Sequence, residues 1–419
     1  MNTIDTGAPA PTAKTERLLG LDFTRGIAVL GILAANIIAF GQPFSAYMWP
    51  EGFVTPQGDN SGWMWIAQFV LIDGKMRGLF TLLFGAGLVL FMEKAWARGA
   101  TRWLQARRLG FLLLFGLIHF FLIWRGDILV MYAVAGFIAM ACLRWRAKTQ
   151  LWAGIIGYVV GALLYAAMMG PTYFVADTEL GEREQFAEMR EELAEGKAEE
   201  LADRQTEIAI LTEGSYSEYV SHTVSQHAVD LKFTLTLFMF ETLPLMLLGM
   251  GLYRTGFFSG KLDPQTQRIW GWIGVIAGSL LTVPIAWWAM SSGFTYYGTL
   301  AALMGFSPLP RLPVVIGLAA LLALWGPIAT GWLGQRFVAA GRMAFTNYLG
   351  TSVMMMLVFH PWAGGLWGDL NRPQLYVVVL VAWAIMLLWS KPWLERFRYG
   401  PLEWLWRCLT YGKLFPLKR

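Results

Sequence analysis

The chain has 419 residues, a mean hydropathy of +0.48 and a formal net charge of +5. Charged residues make up 15% of the chain, against about 25% in ordinary soluble domains, and hydrophobic residues make up 56%. These values exclude an ordinary soluble enzyme and predict a helical membrane protein, because a spanning segment must satisfy its backbone hydrogen bonds internally. The basic residues cluster beside apolar runs, so the positive charge does not indicate nucleic-acid binding.

The first sixteen residues are polar, lack the pattern of a cleaved signal peptide and are predicted to form a disordered tail. Ten apolar runs follow, and their lengths are close to the roughly 20 residues that a helix needs to cross a bilayer. The predicted spans are Gly26–Phe40, Trp63–Met92, Leu109–Trp124, Ile128–Leu143, Leu151–Gly170, Phe233–Tyr253, Ile269–Ser291, Leu312–Gly331, Met343–Pro361 and Leu375–Trp389. The sequence therefore predicts an all-α, polytopic transmembrane bundle.

Five predicted spans precede an insertion and five follow it. The predicted units are residues 17–171, the insertion 172–232, residues 233–413 and a short tail, 414–419. Lysine and arginine alternate between rich and poor loops, beginning with Lys14 and Arg17 before span one. Because basic loops stay in the cytoplasm, both termini are expected to be cytoplasmic and the insertion extracytoplasmic.

The insertion is acidic: 177–218 holds fourteen of the chain's 28 acidic residues. It is either a helical cap over the outer mouth of the bundle or a solvated hairpin without a chemical role. His222 and His227 lie near Asp230, but no recognised metal-ligand spacing is met, so surface histidines are expected and no metal site is predicted. Cys142 and Cys408 indicate neither a disulfide framework nor a metal cluster.

Ionisable residues at membrane depth are candidates for function. In span one, Asp22 and Arg25 share a helical face, where they either pair or leave Arg25 to bind an anion at the cytoplasmic mouth. Asn36 follows three turns later on the same face and is either part of a site or an interhelical hydrogen-bonding group.

Span two is too long for one straight crossing, and Gly74 is predicted to break it. The spacing of Asp73 and Arg77 favours an intrahelical ion pair. Glu241 in span six is expected to neutralise Lys75 or Arg77, or to carry protons.

His119 in span three and Asp127 at the start of span four are expected at the same end of the bundle. The chain has only 4 histidines, which raises the interest of one placed in a span. A carboxylate on one imidazole nitrogen orients the ring for general-base catalysis. The alternative is a histidine that only makes an interhelical hydrogen bond.

Several short motifs together resemble the YeiB family of bacterial inner-membrane proteins, over about residues 17–413. They are Leu21–Gly26, Arg77–Gly87, Gly126–Leu129 followed by Tyr132 and Ala133, Gly251–Phe258, Gly341–Tyr348 and Gly400–Arg407. The resemblance implies a multi-pass protein of the bacterial cytoplasmic membrane. The N-terminal half is similar, more distantly, to transmembrane acyltransferases such as heparan-α-glucosaminide N-acetyltransferase, at Asp22, Arg25, Gly26, Asn36 and Asp73.

That second resemblance implies transfer of an acyl group from cytoplasmic acyl-CoA to an acceptor across the membrane. Those enzymes have a histidine between the asparagine and the aspartate, whereas 36–73 contains none, so His119 would act from another helix. We therefore expect His119 as general base, oriented by Asp127, and Asp73 as a third catalytic residue. The expected donor-binding residues are Arg25, Asn36, Arg77, Arg107 and Arg108.

The expected acceptor is a small molecule or glycan with a hydroxyl or amine. A proton-coupled transporter using Asp73, Arg77 and Glu241 is the alternative. A sensor or scaffold that binds a partner through the insertion is a third hypothesis, and a haem protein is disfavoured by the few histidines. A homodimer within the lipid bilayer is left open.

Overall fold

The computed structural model describes residues 19–58 and 60–419, apart from the side chains of Asp230 and Phe233. The predicted tail 1–16, with Lys14, and Arg17 lie outside the described residues. The described residues form fifteen α-helices and no β-strand. They are α1 (Leu19–Gly41), α2 (Ser61–Leu71), α3 (Lys75–Trp96), α4 (Arg102–Leu122), α5 (Leu129–Ala139), α6 (Ala147–Asp177), α7 (Ala187–Glu213), α8 (Tyr216–Arg254), α9 (Pro264–Ser291), α10 (Tyr296–Leu300), α11 (Pro308–Trp325), α12 (Trp332–Arg342), α13 (Ala344–Phe359), α14 (Arg372–Arg396) and α15 (Pro401–Tyr411).

The all-α membrane fold is confirmed. Within the described part, 8 helical segments are long and apolar enough to cross a membrane. Two shorter apolar helices, Leu129–Arg144 and Ala344–Phe359, coincide with predicted spans four and nine. The ten predicted spans therefore all correspond to apolar helices.

Several helices begin earlier than predicted. Helix α4 begins at Arg102, before the predicted span Leu109–Trp124, because the Thr101 side chain accepts a hydrogen bond from the Trp103 N–H and caps the helix there. Helix α11 begins at Pro308, a residue whose fixed φ suits the first turn. An amphipathic helix, α12, occupies the segment between predicted spans eight and nine.

The predicted break in span two lies at Gly74. This residue has φ +70°, a left-handed conformation that glycine adopts without steric cost, and it separates α2 from α3. A β-carbon at Gly74 would also collide with the Arg311 guanidinium. The break therefore lets a buried arginine of α11 pack directly on the backbone.

Two glycine contacts bring the central helices close together. A β-carbon on Gly26 of α1 would collide with the Phe337 carbonyl oxygen of α12, and one on Gly85 of α3 with the Met246 carbonyl oxygen of α8. Small residues permit such approach where lipid-facing helices gain little from hydrophobic burial. Helix α1 consequently lies at the centre, with 78% of its apolar window buried, whereas α9, with 22%, lies at the periphery.

The acidic insertion continues from the membrane helices. Helix α8 has 39 residues, about 58 Å at 1.5 Å per residue, so its first half extends beyond a bilayer core of about 30 Å. Helices α6 and α8 both run through the predicted insertion boundaries. The insertion packs on the loops at one end of the bundle, where Tyr216 donates to the Leu122 carbonyl and Arg204 to that of Gly52.

Candidate functional site

One end of the bundle contains a cavity of about 340 Å³, here called the basic-end cavity. Its basic lining residues come from α1, α3, α4, α12 and α15 and from the loop after α3, and its inner part is apolar. The basic residues are Arg25, Lys94, Arg98, Arg108, Arg342 and Arg407. Phe80, Leu83, Phe84, Leu112 and Tyr132 line the inner part. A cavity with a cationic mouth and an apolar depth fits an anionic molecule with an apolar tail.

The lining of this cavity is held in place by local contacts. Arg25 pairs with Asp22 at 3.0 Å, and the Arg108 guanidinium lies 4.5 Å from the ring centroids of both Phe91 and Trp406. Glu403 is the acidic lining residue; it accepts hydrogen bonds from the Phe345 and Thr346 N–H groups at the start of α13. Burial raises the pKa of the Glu403 carboxyl, so the cavity disfavours its ionised form.

A second cavity of about 460 Å³, the insertion-end cavity, lies beneath the insertion. Residues of α1, α3, α8 and α11 line it together with the turn before α5 and the acidic insertion. Its polar lining includes Asn36, Tyr47, Arg77, Asp127, Glu241 and Arg311 from the bundle, and Glu200, Asp203 and His227 from the insertion.

The two cavities lie at opposite ends of the same helices. On α1, Arg25 and Asn36 belong to different cavities and are separated by about 16 Å of helix rise. Between the cavities, the Tyr132 hydroxyl lies 2.9 Å from Thr81 Oγ1 and donates to the Arg77 carbonyl oxygen at 3.2 Å. The linings of the two cavities therefore touch at this point, because Tyr132 lines the basic-end cavity and Arg77 lines the insertion-end cavity.

His119 and Asp127 form a buried hydrogen-bonded pair. The His119 Nδ1 lies 2.6 Å from Asp127 Oδ2, and both side chains are 0% exposed. Asp127 Oδ1 accepts from the Val130 N–H, so both carboxylate oxygens are fixed at the start of α5. A β-carbon on Gly116 would collide with the Val130 nitrogen and touch Asp127, so the glycine is what lets α5 approach His119.

The pairing determines what the imidazole can do. An ionised carboxylate only accepts hydrogen bonds, so the neutral ring carries its proton on Nδ1 and a lone pair on Nε2. Among the described residues, Nε2 has no hydrogen-bond partner. The ring lies 5.2 Å from that of Tyr348, which lines the basic-end cavity, and 6.3 Å from that of Trp124, which lines the insertion-end cavity.

The structure replaces one predicted ion pair with a three-residue cluster. The predicted Asp73–Arg77 pair was wrong, because the break at Gly74 removes the helical spacing between them. Arg77 instead pairs with Glu241, which is one of the two pairings predicted for Glu241. Glu241 also accepts a hydrogen bond from Arg311 at 2.9 Å. Arg311 is 3% exposed and donates further to Ser307. Opposite charges at this depth thus satisfy one another.

Asp73 lies in a separate buried network. Its Oδ1 accepts from the Gln68 amide at 3.0 Å, and the same amide's oxygen accepts from Arg372 at 2.9 Å. Lys75, 1% exposed, donates to the Phe69 carbonyl. Neither Asp73 nor Lys75 is among the residues lining the two cavities.

The predicted donor-binding residues are consequently divided. Arg25 and Arg108 line the basic-end cavity, whereas Asn36 and Arg77 line the insertion-end cavity. Arg107 lines neither and lies beside Gly412. Of the three predicted catalytic residues, the structure brings His119 and Asp127 together and places Asp73 elsewhere.

Sequence reasoning missed Arg311, Tyr348 and Tyr132. Arg311 was placed outside span eight, although Ser307 and Pro308 form a helix start that would have moved it inside. Tyr132 and Tyr348 belong to the motifs that carry the family resemblance, but no spacing in the chain indicates their contacts.

Comparisons with known proteins point to one family. Residues 252–413 match the family described as "Protein of unknown function (DUF418)". The chain is 30% identical to "Uncharacterized protein YeiB" of Escherichia coli, over 96% of this chain and 98% of that protein. It is 28% identical to "Uncharacterized protein YxaH" of Bacillus subtilis, over 98% of each chain. No solved structure matched.

Proposed function

The chain belongs to the YeiB family, and from its two cavities and the histidine–aspartate pair between them we propose that it is a membrane-embedded acyltransferase. It takes an acyl group from acyl-CoA at the basic-end cavity. It delivers that group to a hydroxyl or amine of a small molecule or glycan in the insertion-end cavity.

The observation that carries the proposal is the buried His119–Asp127 pair, whose ring has one neighbour in each cavity. A structural histidine normally spends both nitrogens on hydrogen bonds, whereas Nε2 here has no partner within the described part of the chain. An oriented imidazole with a free lone pair, whose ring neighbours line the two cavities, has the arrangement that a general base requires.

The basic-end cavity supports a coenzyme A ester as donor. Its arginines and lysine suit the phosphates, since guanidinium groups bind phosphate in a bidentate manner. The apolar depth near Phe84, Leu112 and Tyr132 suits an acyl chain. A donor that carries both phosphates and an acyl chain therefore fits this cavity better than free inorganic phosphate.

In the reaction, the acceptor O–H or N–H gives its proton to His119 Nε2 as its oxygen or nitrogen attacks the thioester carbonyl. The carbonyl carbon–sulfur bond breaks, and the coenzyme A thiolate takes the proton back from the imidazolium. Asp127 keeps the ring oriented and stabilises its transient charge. Because the ring is covered, the Tyr348 or Trp124 side chain must move to admit the thioester and acceptor.

The proposed orientation places the basic end in the cytoplasm and the insertion outside the bacterial cytoplasmic membrane. It rests on the distribution of lysine and arginine between the loops. Cytoplasmic acyl-CoA then reaches its cavity directly, and the acceptor reaches the other from outside.

The test is cleavage of acetyl-CoA and of a long-chain acyl-CoA by the purified protein in detergent. The His119→Ala and Asp127→Asn variants are expected to lose roughly 10²–10⁴-fold of the activity. His360→Gln changes a buried histidine that lines neither cavity. It serves as the matched control and should retain activity. Full activity in both dyad variants would refute the proposal.

A proton-coupled transporter is the second candidate, favoured by the Arg77–Glu241–Arg311 cluster in the wall of the insertion-end cavity. A carboxylate held between two arginines can release a cation partner when it is protonated. This function predicts proton-dependent uptake of solute into proteoliposomes that Glu241→Gln abolishes. Uptake without any acyl-CoA cleavage would favour the transporter over the acyltransferase.

A further inference from the structure

The insertion brings two histidines and an aspartate together at the rim of the insertion-end cavity. Asp203 lies on α7, and His222 and His227 lie on α8. His222 Nε2 is 3.3 Å from Asp203 Oδ1, and His227 Nε2 is 3.9 Å from Asp203 Oδ2. One ligand atom from each residue lies within 4.8 Å of the other two. The helical hairpin, not the local spacing, creates this cluster.

These separations are close to those of a metal site. A tetrahedral zinc ion with ligands about 2.1 Å away keeps its ligand atoms roughly 3.4 Å apart. Two imidazoles and one carboxylate are a ligand set that zinc accepts, and the set leaves a fourth position open. The sequence alone offered Asp230 as the acid beside the histidines, and the side chain of Asp230 lies outside the described residues.

Two residues of the cluster, Asp203 and His227, already contact a cationic side chain, Arg125. The Arg125 guanidinium donates to His227 Nε2 at 2.6 Å and to Glu207 Oε2 at 3.1 Å, and lies 3.7 Å from Asp203 Oδ2. The same Arg125 nitrogen also lies 3.3 Å from His227 Nδ1. Because arginine only donates, the His227 nitrogen that accepts presents a lone pair, which is what a metal ion binds. The groups around Arg125, an imidazole and two carboxylates, are thus of the kinds that also bind a divalent cation.

We propose that Asp203, His222 and His227 form a transition-metal site, for Zn²⁺ by its ligand chemistry, in which the metal replaces the Arg125 guanidinium. Arg125 keeps a position when displaced, since Glu207 and the Phe44 ring, whose centroid is 4.4 Å from the guanidinium carbon, both remain in reach. Asp203 and His227 line the insertion-end cavity, so water or a cavity ligand takes the fourth metal position.

This inference does not depend on acyl transfer, and its test needs no acyl donor. Metal-stripped full-length protein in detergent is titrated with Zn²⁺ and, for its visible spectrum, Co²⁺. Wild type is expected to bind one ion per chain and to give a tetrahedral cobalt spectrum. His222→Ala and Asp203→Asn should each weaken binding at least tenfold, while the control His360→Gln leaves it unchanged.

The Arg125→Met variant distinguishes a metal site from a polar cluster of purely structural value. If the cluster is a metal site, removing the competing guanidinium should tighten Zn²⁺ binding at least tenfold. If the cluster is only structural, Zn²⁺ binding should stay weak in Arg125→Met. The inference is overturned if wild type binds no ion, if both ligand variants bind as tightly as wild type, or if Arg125→Met fails to tighten binding. A thermal unfolding profile for each variant checks that it is folded.

Discussion

The two cavities use charge in opposite ways. In the basic-end cavity, six cationic side chains face one acid, Glu403, whose ionised form is disfavoured. In the insertion-end cavity, Arg77 and Arg311 share Glu241, and Arg125 meets Asp203 and Glu207. The lining of the basic-end cavity thus has more cationic than anionic side chains, although Arg25 is paired with Asp22 outside that lining. In the insertion-end cavity the arginines share carboxylates of the same lining or of the insertion.

This difference fits the proposed transfer between two substrates. Excess positive charge attracts a polyanion from water and holds its phosphates. Paired charges deeper in the bundle favour hydrogen bonding to a less charged molecule, since each ion is already neutralised by a partner. The His119–Asp127 pair lies at the insertion-end cavity, which Asp127 lines, and the His119 ring also neighbours Tyr348 of the basic-end cavity.

The largest effect, a loss of stability, should come from removing the carboxylate that Arg77 and Arg311 share in the insertion-end cavity. Glu241→Leu leaves the buried cations Arg77 and Arg311 without their shared anion, and loss of one partner of a buried ion pair costs about 3–5 kcal/mol. Thermal unfolding in detergent measures it. Glu93→Gln removes an exposed pair with Arg254 and should cost less than about 1 kcal/mol. Equal effects of the two variants would contradict the pairing.

The next effect concerns the spacing of α4 and α5. Gly116→Ala puts a methyl group against the Val130 nitrogen, so it should destabilise the protein by about 1–3 kcal/mol and reduce acyl-CoA cleavage by moving Asp127 from His119. Gly110→Ala on the same helix meets no atom within 4 Å and is the matched control. Activity would survive both substitutions if the close approach had no role.

A third effect, of similar size but confined to donor binding, distinguishes the two cavities. Arg25→Ala and Arg108→Ala should each weaken acyl-CoA binding by about 1.5–3 kcal/mol, the usual contribution of a charged hydrogen bond. Asn36→Ala, in the other cavity, should leave donor affinity unchanged. Calorimetric titration with a thioether analogue of acyl-CoA measures all three. A drop in donor affinity for Asn36→Ala alone would assign the donor to the insertion-end cavity.

The smallest effect should come from Glu403. Glu403→Gln keeps an acceptor for the α13 N–H groups and removes whatever negative charge the carboxyl retains in the basic-end cavity, so donor affinity should rise by at most about 1 kcal/mol. The same titration checks it. A fall in affinity would show that the carboxylate, rather than the arginines, contacts the donor.

Hydropathy predicted the fold closely because bilayer thickness restricts the length and composition of spans. It failed where a capping residue outside the apolar run starts the helix, as Thr101 does for α4. The break at Gly74 was predictable from length and a glycine. Its consequence, the loss of the Asp73–Arg77 pair, was not, because a helical spacing was assumed across the break.

The site was predictable only in part. His119 and Asp127 are eight residues apart on either side of one turn, so proximity in the chain indicated proximity in space. Glu241 and Arg311, by contrast, meet because α8 and α11 both pack on α3, and Asp203 reaches His222 through the α7–α8 hairpin. Contacts of this kind depend on helix rotation and register, which hydropathy does not encode.

The most direct measurement is a cryo-electron microscopy structure with a non-cleavable thioether analogue of acyl-CoA. The proposed acyl transfer predicts phosphates between Arg25 and Arg108, an acyl chain along the apolar depth, and a displaced Tyr348. The carbonyl should lie close enough to His119 for an acceptor O–H or N–H to fit between the carbonyl carbon and Nε2. A donor bound in the insertion-end cavity, or one bound with its carbonyl far from a still-covered His119, would contradict it.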